Sequence, residues 1–238
     1  LWEPIPSFSG QFKGNGHTIS DLTITGQYSP AGLFGIVEEQ GSIESLSVRG
    51  VVSVSDSADT TTGGIVGVNH GTLINCQFTG VVTGDSEVGG IVGRNESEGT
   101  IDHGTARAIV TGKSSTGGIA GYNLGAITGC TNVGSINTEY PEASLDTDGF
   151  TAKMVDYINN KMAAADNDAT NSVTNVATDT GGIAGRSSGM ILTSVNTGTI
   201  GYEHVGYNVG GIVGRTDGLV SGCVNQGRVL GRKDVGGI

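Results

Sequence analysis

A five-residue block of glycines and aliphatic residues recurs from one end of the chain to the other. The copy at residues 63–67 has the sequence Gly-Gly-Ile-Val-Gly, and the second glycines of successive copies are separated by 32, 26, 28, 64, 29 and 26 residues. Self-similarity at a period of roughly 20 to 50 residues is typical of solenoids, whose stacked repeats share one core. The sequence therefore predicts a solenoid with one long insertion. The copies lie at residues 31–35, 63–67, 89–93, 117–121, 181–185, 210–214 and 236–238.

Two further apolar positions recur in every repeat with the same fidelity. Each repeat offers two or three short strands, and β-branched side chains stack well when like strands pair in parallel. The crossover rule for parallel strands favours a right-handed coil. The sequence thus predicts an all-β fold, a right-handed parallel β-helix (solenoid) of seven or eight coils. The first position holds Ile43, Leu73, Ile101, Ile127, Ile191 and Val220, and the second holds Val52, Val82, Val110, Ile136, Ile200 and Val229.

We expect a single β-helix domain over residues 1–238, with an opening coil at residues 1–30 and an insertion loop at residues 137–180. Apolar residues at four-residue spacing inside this loop predict one inserted amphipathic helix. The other enlarged gaps fall at the same point of the repeat, so decorations should emerge along one edge. The last block stops at Ile238, and we expect the chain to be truncated within a coil. The apolar positions of the predicted helix are Phe150, Met154, Val155, Ile158 and Met162.

Two columns of the repeat carry cysteine and asparagine. Cys76, Cys130 and Cys223 occupy one position, and we expect buried free thiols because other coils separate them by more than a disulfide can span. Two residues later, the column changes from Val48, Phe78 and Ala106 to Asn132, Asn196 and Asn225. Stacked asparagine amides can hydrogen-bond from coil to coil. The sequence therefore predicts a structural asparagine ladder.

Charge and hydropathy exclude two classes of partner. The chain carries 12 basic and 23 acidic side chains, a formal charge of -11, which opposes binding to nucleic acid. It has no run of 18 apolar residues, so we expect no membrane insertion within this sequence.

Its four histidines lack metal-ligand spacing, and we expect neither a metal nor a cofactor. Fragments that resemble pieces of calcium loops, at residues 146–149 and 166–168, leave calcium binding in the insertion open.

One column just after the glycine block is the candidate binding surface. It contains Arg94, Tyr122, Arg186 and Arg215. Arginine and tyrosine present flat amphipathic faces with hydrogen-bond donors, which could bind sugars or acidic chains. The alternative is a self-neutralised surface ladder, because Glu96 and Asp217 follow two residues after two of the arginines.

We expect no catalytic residues. Asp102 and His103 are adjacent in sequence, but catalytic partners are assembled in space, and no serine context marks a nucleophile. The sequence therefore favours a protein that is not an enzyme.

The repeated block, followed in residues 122–127 by Tyr-Asn-Leu-Gly-Ala-Ile, resembles the GLUG repeat. The opening sequence at residues 12–19 is similar to the first coil of many such proteins. The resemblance covers nearly all of the chain except the insertion. It implies a secreted or cell-surface bacterial protein, since GLUG repeats occur in adhesin-like surface proteins and in non-catalytic regions of IgA-specific metallopeptidases.

The combined expectation is a non-catalytic adhesion, binding or spacer module of the bacterial cell surface. Its partners would be a glycan or a host or extracellular protein, besides further domains of the same chain. Two alternatives stay open. A carbohydrate-active β-helix enzyme would need paired carboxylates on neighbouring coils. An accessory segment of a secreted peptidase would need a catalytic domain elsewhere.

Overall fold

The chain folds into a parallel β-solenoid of four sheets. The computed structural model describes residues 1–54, 60–138, 177–202 and 206–238. Each complete coil contributes a strand to every sheet, and we name the sheets A, B, C and D in the order in which the chain visits them. Sheet A has seven strands, so six turns of the chain separate its first strand from its last. The predicted parallel solenoid is confirmed, but a coil crosses four sheets rather than two or three.

In chain order, the strands are β1 (Ile5–Phe8), β2 (Gln11–Lys13), β3 (Thr18–Gly26), β4 (Phe34–Val37), β5 (Ser42–Glu44), β6 (Ser47–Val54), β7 (Thr62–Gly63), β8 (Val66–Asn69), β9 (Thr72–Ile74), β10 (Gln77–Thr83), β11 (Ser86–Gly89), β12 (Val92–Asn95), β13 (Thr100–Asp102), β14 (Thr105–Thr111), β15 (Ser114–Gly117), β16 (Ala120–Asn123), β17 (Ala126–Thr128), β18 (Thr131–Asn132), β19 (Ser135–Ile136), β20 (Thr178–Gly181), β21 (Ala184–Ser187), β22 (Met190–Leu192), β23 (Val195–Asn196), β24 (Tyr207–Gly210), β25 (Val213–Thr216), β26 (Leu219–Ser221), β27 (Val224–Asn225) and β28 (Lys233–Gly236). Sheet A contains β1, β4, β8, β12, β16, β21 and β25, and sheet B contains β2, β5, β9, β13, β17, β22 and β26. Sheet C contains β3, β6, β10, β14, β18, β23 and β27, with β19 paired to β14, and sheet D contains β7, β11, β15, β20, β24 and β28.

The two apolar columns predicted from the sequence form the core. The first column lies at the centre of sheet B, where Leu73 pairs with Ile43 and Ile101 in register. The second lies in sheet C, where Val82 pairs with Val52 and Val110. The residues of both columns are buried except in the last coil, which has no described coil stacked on it. The core is therefore a set of vertical stacks of identical positions.

Glycine is required in the strands of sheet A where they approach sheet D of the preceding coil. A Cβ atom on Gly121 would lie 2.2 Å from the backbone carbonyl carbon of Glu87 in the preceding coil. A side chain at this position would force the two sheets apart. The repeated block is thus a packing requirement of this corner.

The predicted asparagine ladder is confirmed on sheet C. The Nδ2 atom of Asn132 donates to Oδ1 of Asn196 at 2.8 Å, and Nδ2 of Asn196 donates to Oδ1 of Asn225 at 2.8 Å. The second proton of each amide is directed to a glycine carbonyl two residues further on. Asn132 and Asn196 therefore have partners for both of their amide protons.

A second ladder, which was not predicted, lies on sheet A. The Nδ2 atom of Asn69 donates to Oδ1 of Asn95 at 2.8 Å, Asn95 donates to Asn123 at 2.9 Å, and Asn123 donates to Oγ of Ser187 at 3.0 Å. All four residues are fully buried. Two parallel ladders therefore connect the coils inside the solenoid.

The three cysteines are free thiols in one column, as predicted. Burial raises the pKa of the Cys76 thiol to about 11 and that of Cys130 to about 12. The prediction that all three are buried is wrong for Cys223, which is half-buried because it lies in the last coil.

The predicted insertion helix and both calcium-loop fragments lie outside the described residues. The strands on either side of the insertion are regular: Ile136 bridges to Ile200, and β20 pairs with β15 and β24. In the sequence, all three stretches outside the description lie between a strand of sheet C and a strand of sheet D. The described residues contain no helix, and so none that could cross a bilayer.

Candidate binding surface on sheet A

The structure brings the four predicted binding residues into one line. Arg94 pairs in register with Tyr122, Tyr122 with Arg186, and Arg186 with Arg215, on strands β12, β16, β21 and β25. They alternate with the buried ladder residues, since successive side chains of a strand point to opposite faces. We call these four residues the arginine–tyrosine stripe. The stripe lies on the outer face of sheet A and follows the solenoid axis.

Tyr122 is covered on both sides within the stripe. The guanidinium carbon of Arg94, one coil before, lies 5.2 Å from the ring centroid, and that of Arg186, one coil after, also lies 5.2 Å away. Both contacts are within the range of cation–π attraction. The phenolic oxygen is 3.3 Å from Oγ of Ser188. The ring therefore holds the two arginine side chains in place and has little face left for a ligand.

Arg94 is neutralised by carboxylates. Its NH1 atom lies 2.9 Å from Oε1 of Glu87, and its Nε atom lies 2.7 Å from Oε1 of Glu96. The predicted pairing with Glu96 is confirmed, whereas the contact with Glu87 was not predicted. Glu87 belongs to sheet D and reaches Arg94 across the corner between the sheets. This end of the stripe is a closed ion-pair cluster.

The other end of the stripe is open. Within the described parts of the chain, no ion pair shorter than 4.0 Å involves Arg186 or Arg215. Asp179 precedes Arg186 by seven residues, as Glu87 precedes Arg94, but its Oδ1 atom accepts a hydrogen bond from Nδ2 of Asn208 at 2.7 Å instead. The sequence hypothesis of a self-neutralised ladder thus holds at Arg94 and does not extend to the two arginines that follow.

Asp217 is a carboxylate that interacts electrostatically with both arginines of this open end. A hydrogen bond from the Ser188 side chain lowers the pKa of the Asp217 carboxyl, and the charges of Arg186 and Arg215 lower it further. Asp217, Ser188 and Arg215 are all exposed to solvent. Two guanidinium groups, one hydroxyl and one carboxylate are therefore available together on this surface.

Asp102 and His103 are the remaining sequence candidates among the described residues. Half-buried Asp102 and exposed His103 form a pair, with 2.9 Å between Oδ1 and Nδ1. Among the residues that the structure describes, no three His, Cys, Asp or Glu side chains gather as a metal site would require. The stripe is the feature of the described surface with the clearest capacity for recognition.

Comparison with known proteins gives two partial matches. Halomucin of Haloquadratum walsbyi is 35% identical over 100 residues, which are 42% of this chain and 1% of halomucin. A protein of Evansella cellulosilytica, provisionally named a Gly-rich membrane protein, is 29% identical over 137 residues that cover 42% of this chain and 16% of that protein. The chain thus spans a small fraction of both curated relatives. No family model and no solved structure matches it.

Proposed function

We propose that this chain is a non-catalytic binding or spacer module of a bacterial surface protein, built from GLUG-type repeats wound into a right-handed parallel β-helix. The observation that carries the proposal is the constant register of the strands and of both asparagine ladders from coil to coil. Six steps at ~4.8 Å make a stiff column of roughly 29 Å. Such a column can hold a binding surface away from a membrane or wall.

The relatives support a module within a much larger protein. Both match this chain over a small part of their own length, as a repeat module inserted in a long polypeptide would. The name of the second, a Gly-rich membrane protein, favours a location at the membrane or cell surface. We accordingly place this chain in a secreted or surface-attached protein, with a glycan or an extracellular protein as its partner.

The location and the spacer role can be tested together. Antibodies raised against the recombinant chain should label intact cells of the source organism, and brief external proteolysis should remove the label. A label that appears only after permeabilisation would refute a surface location. Single-molecule pulling should show stepwise unfolding of coils at high force, as expected when each coil is held by its neighbours.

The binding role needs a separate assay. Beads coated with the chain should adhere to immobilised glycans or extracellular matrix more than beads coated with albumin. In a variant with residues 139–176 replaced by a Gly/Ser linker, the β-sheet signal in circular dichroism should be retained, because β19 and β20 pair with both neighbouring coils. Adhesion lost with the insertion would place the site there, and adhesion that survives would place it on the coils.

The enzyme alternative makes a distinct prediction. A glycosidase needs two carboxylates facing each other across a cleft, about 5 to 10 Å apart. Glu87 and Glu96 instead contact the same guanidinium group. Incubation with a panel of polysaccharides should release no new reducing ends or unsaturated products. Release of either by the wild-type chain, abolished by replacing Glu87 or Glu96, would overturn the non-catalytic assignment.

A further inference from the structure

Charge is distributed unevenly along the sequence. Residues 186–238 carry five basic and three acidic side chains, whereas residues 1–185 carry seven basic and twenty acidic ones. Electrostatic effects at a protein surface fade over a Debye length of about 8 Å at physiological ionic strength. An anion that approaches the last coils therefore experiences local positive charge, although the whole chain is acidic.

Arg186 and Arg215 are the best-placed basic groups of this region. Their Cα positions pair directly on neighbouring parallel strands, so the two side chains leave sheet A about 4.8 Å apart along the axis. Arg186 is held against Tyr122, which reduces the conformational freedom that binding would otherwise remove. A guanidinium group offers a planar fork that matches a carboxylate or sulfate in a bidentate manner. The pair forms two adjacent forks along one line.

The covered ring of Tyr122 restricts the kind of ligand. A neutral sugar or a nucleobase binds an aromatic residue by stacking on a free ring face, and both faces of this ring lie against guanidinium groups. Recognition at this end must therefore use charge and hydrogen bonds.

We propose that Arg186 and Arg215 bind carboxylate or sulfate groups of a linear acidic polysaccharide that lies along sheet A. This inference rests on the binding function proposed above and specifies its ligand class. A linear chain parallel to the axis presents successive anionic groups to successive coils, whereas a compact anion would meet only one fork. Ser188 lies beside the pair, but its hydroxyl proton is donated to Asp217, so the two guanidinium groups supply the donors for the ligand. Asp217 opposes binding, because its carboxylate lies next to both arginines.

The test uses the whole recombinant chain and fluorescent heparin or polygalacturonate, with binding measured by anisotropy at two ionic strengths. Heparin supplies sulfates and polygalacturonate supplies carboxylates alone, so the two arms distinguish the anionic group. The variant R186A/R215A should bind about tenfold more weakly, the loss expected for charge-assisted contacts. D217N should bind about threefold more tightly at low salt, because a repulsive charge is removed. The control R107A/R49A removes the same charge from strands β14 and β6 of sheet C, and its affinity should stay within about twofold of wild type.

Three results would overturn the inference. The first is an equal loss of affinity in R186A/R215A and in the sheet C control. The second is binding of poly-L-glutamate as tight as that of either polysaccharide. The third is no binding of either polysaccharide by the wild-type chain. The D217N result stands independently if the arginine variant is misfolded, and unchanged or weaker binding by folded D217N would also count against the site. Failure here would leave the spacer role intact, since surface labelling and pulling measurements do not depend on an acidic ligand.

Discussion

Replacing Asn95 with alanine should strongly destabilise the solenoid. Asn95 is fully buried, and its amide makes three short hydrogen bonds and one long one. It accepts from Asn69 at 2.8 Å and donates to Asn123 at 2.9 Å, to the carbonyl of Gly99 at 3.0 Å and to that of Ala126 at 3.5 Å. Alanine leaves one N–H of Asn69 and the Oδ1 of Asn123 without these partners inside the core. Each orphaned buried group costs about 1 to 3 kcal/mol, so the free energy of unfolding should fall by about 2 to 6 kcal/mol.

The matched control is Asn225→Ala in the ladder of sheet C. Asn225 is half-buried and accepts from Asn196 at 2.8 Å. Water can replace its amide, so the loss should be about 0.5 to 1.5 kcal/mol. Urea unfolding followed by far-ultraviolet circular dichroism measures both. Long repeat arrays can depart from two-state behaviour. The urea midpoints of the variants should therefore be compared only where the denaturant dependence of the unfolding free energy (the m-value) is equal. Equal losses for the two variants, or a loss below about 1 kcal/mol for Asn95→Ala, would refute the energetic role assigned to buried ladders.

A thiol reagent should modify Cys223 in the folded protein, whereas Cys76 and Cys130 should react only after unfolding. Labelling of more than one thiol per folded chain would contradict the burial of Cys76 and Cys130. Gly121→Ala should cost about 3 kcal/mol or more because its Cβ has no space, whereas Gly237→Ala, with no atom within 4 Å of the new Cβ, should not shift the urea midpoint; equal midpoints would contradict the close approach at the corner. Replacing the two arginines beside Asp217 should raise its lowered pKa, as followed by the NMR shift of its side-chain carbon, and an unchanged pKa would show that their charge does not reach it. Since the folded pKa is the lower one, the stabilisation from ionised Asp217 is present above the unfolded pKa and is lost as pH falls through the folded pKa.

Periodicity made the fold and the order of the columns predictable. A repeated position must have the same environment in every coil, so the recurrence of Asn132, Asn196 and Asn225 was enough to predict their ladder. The ladder that begins with Asn69 had the same signal, because Asn69, Asn95 and Asn123 all stand two residues after the last glycine of the block. Strand alternation places this column opposite the stripe and therefore inside the solenoid.

The partners of Arg94 could be predicted only in part. Glu96 directly follows β12, the strand that contains Arg94, so their separation of two residues is enough to predict that the side chains lie close together. Glu87 lies in a different sheet, and its contact with Arg94 depends on the angle at which sheets D and A meet. It also depends on the left-handed backbone at Glu87, whose φ is 46°. Glutamate gives no sign of such a conformation, although aspartate and asparagine, which adopt it more readily, occupy the equivalent position in later coils.

The side-chain amide dipoles of the two asparagine ladders also point in one direction along the solenoid axis. Every interstrand amide bond in both ladders runs from a donor in one coil to an acceptor in the next coil towards the C-terminal end. Amide dipoles aligned head to tail polarise one another, so each bond strengthens its neighbours. The orientation of a single amide then fixes that of all the others in its ladder. An ionised carboxylate at one of these positions accepts but cannot donate, so the run of aligned amide bonds would end there.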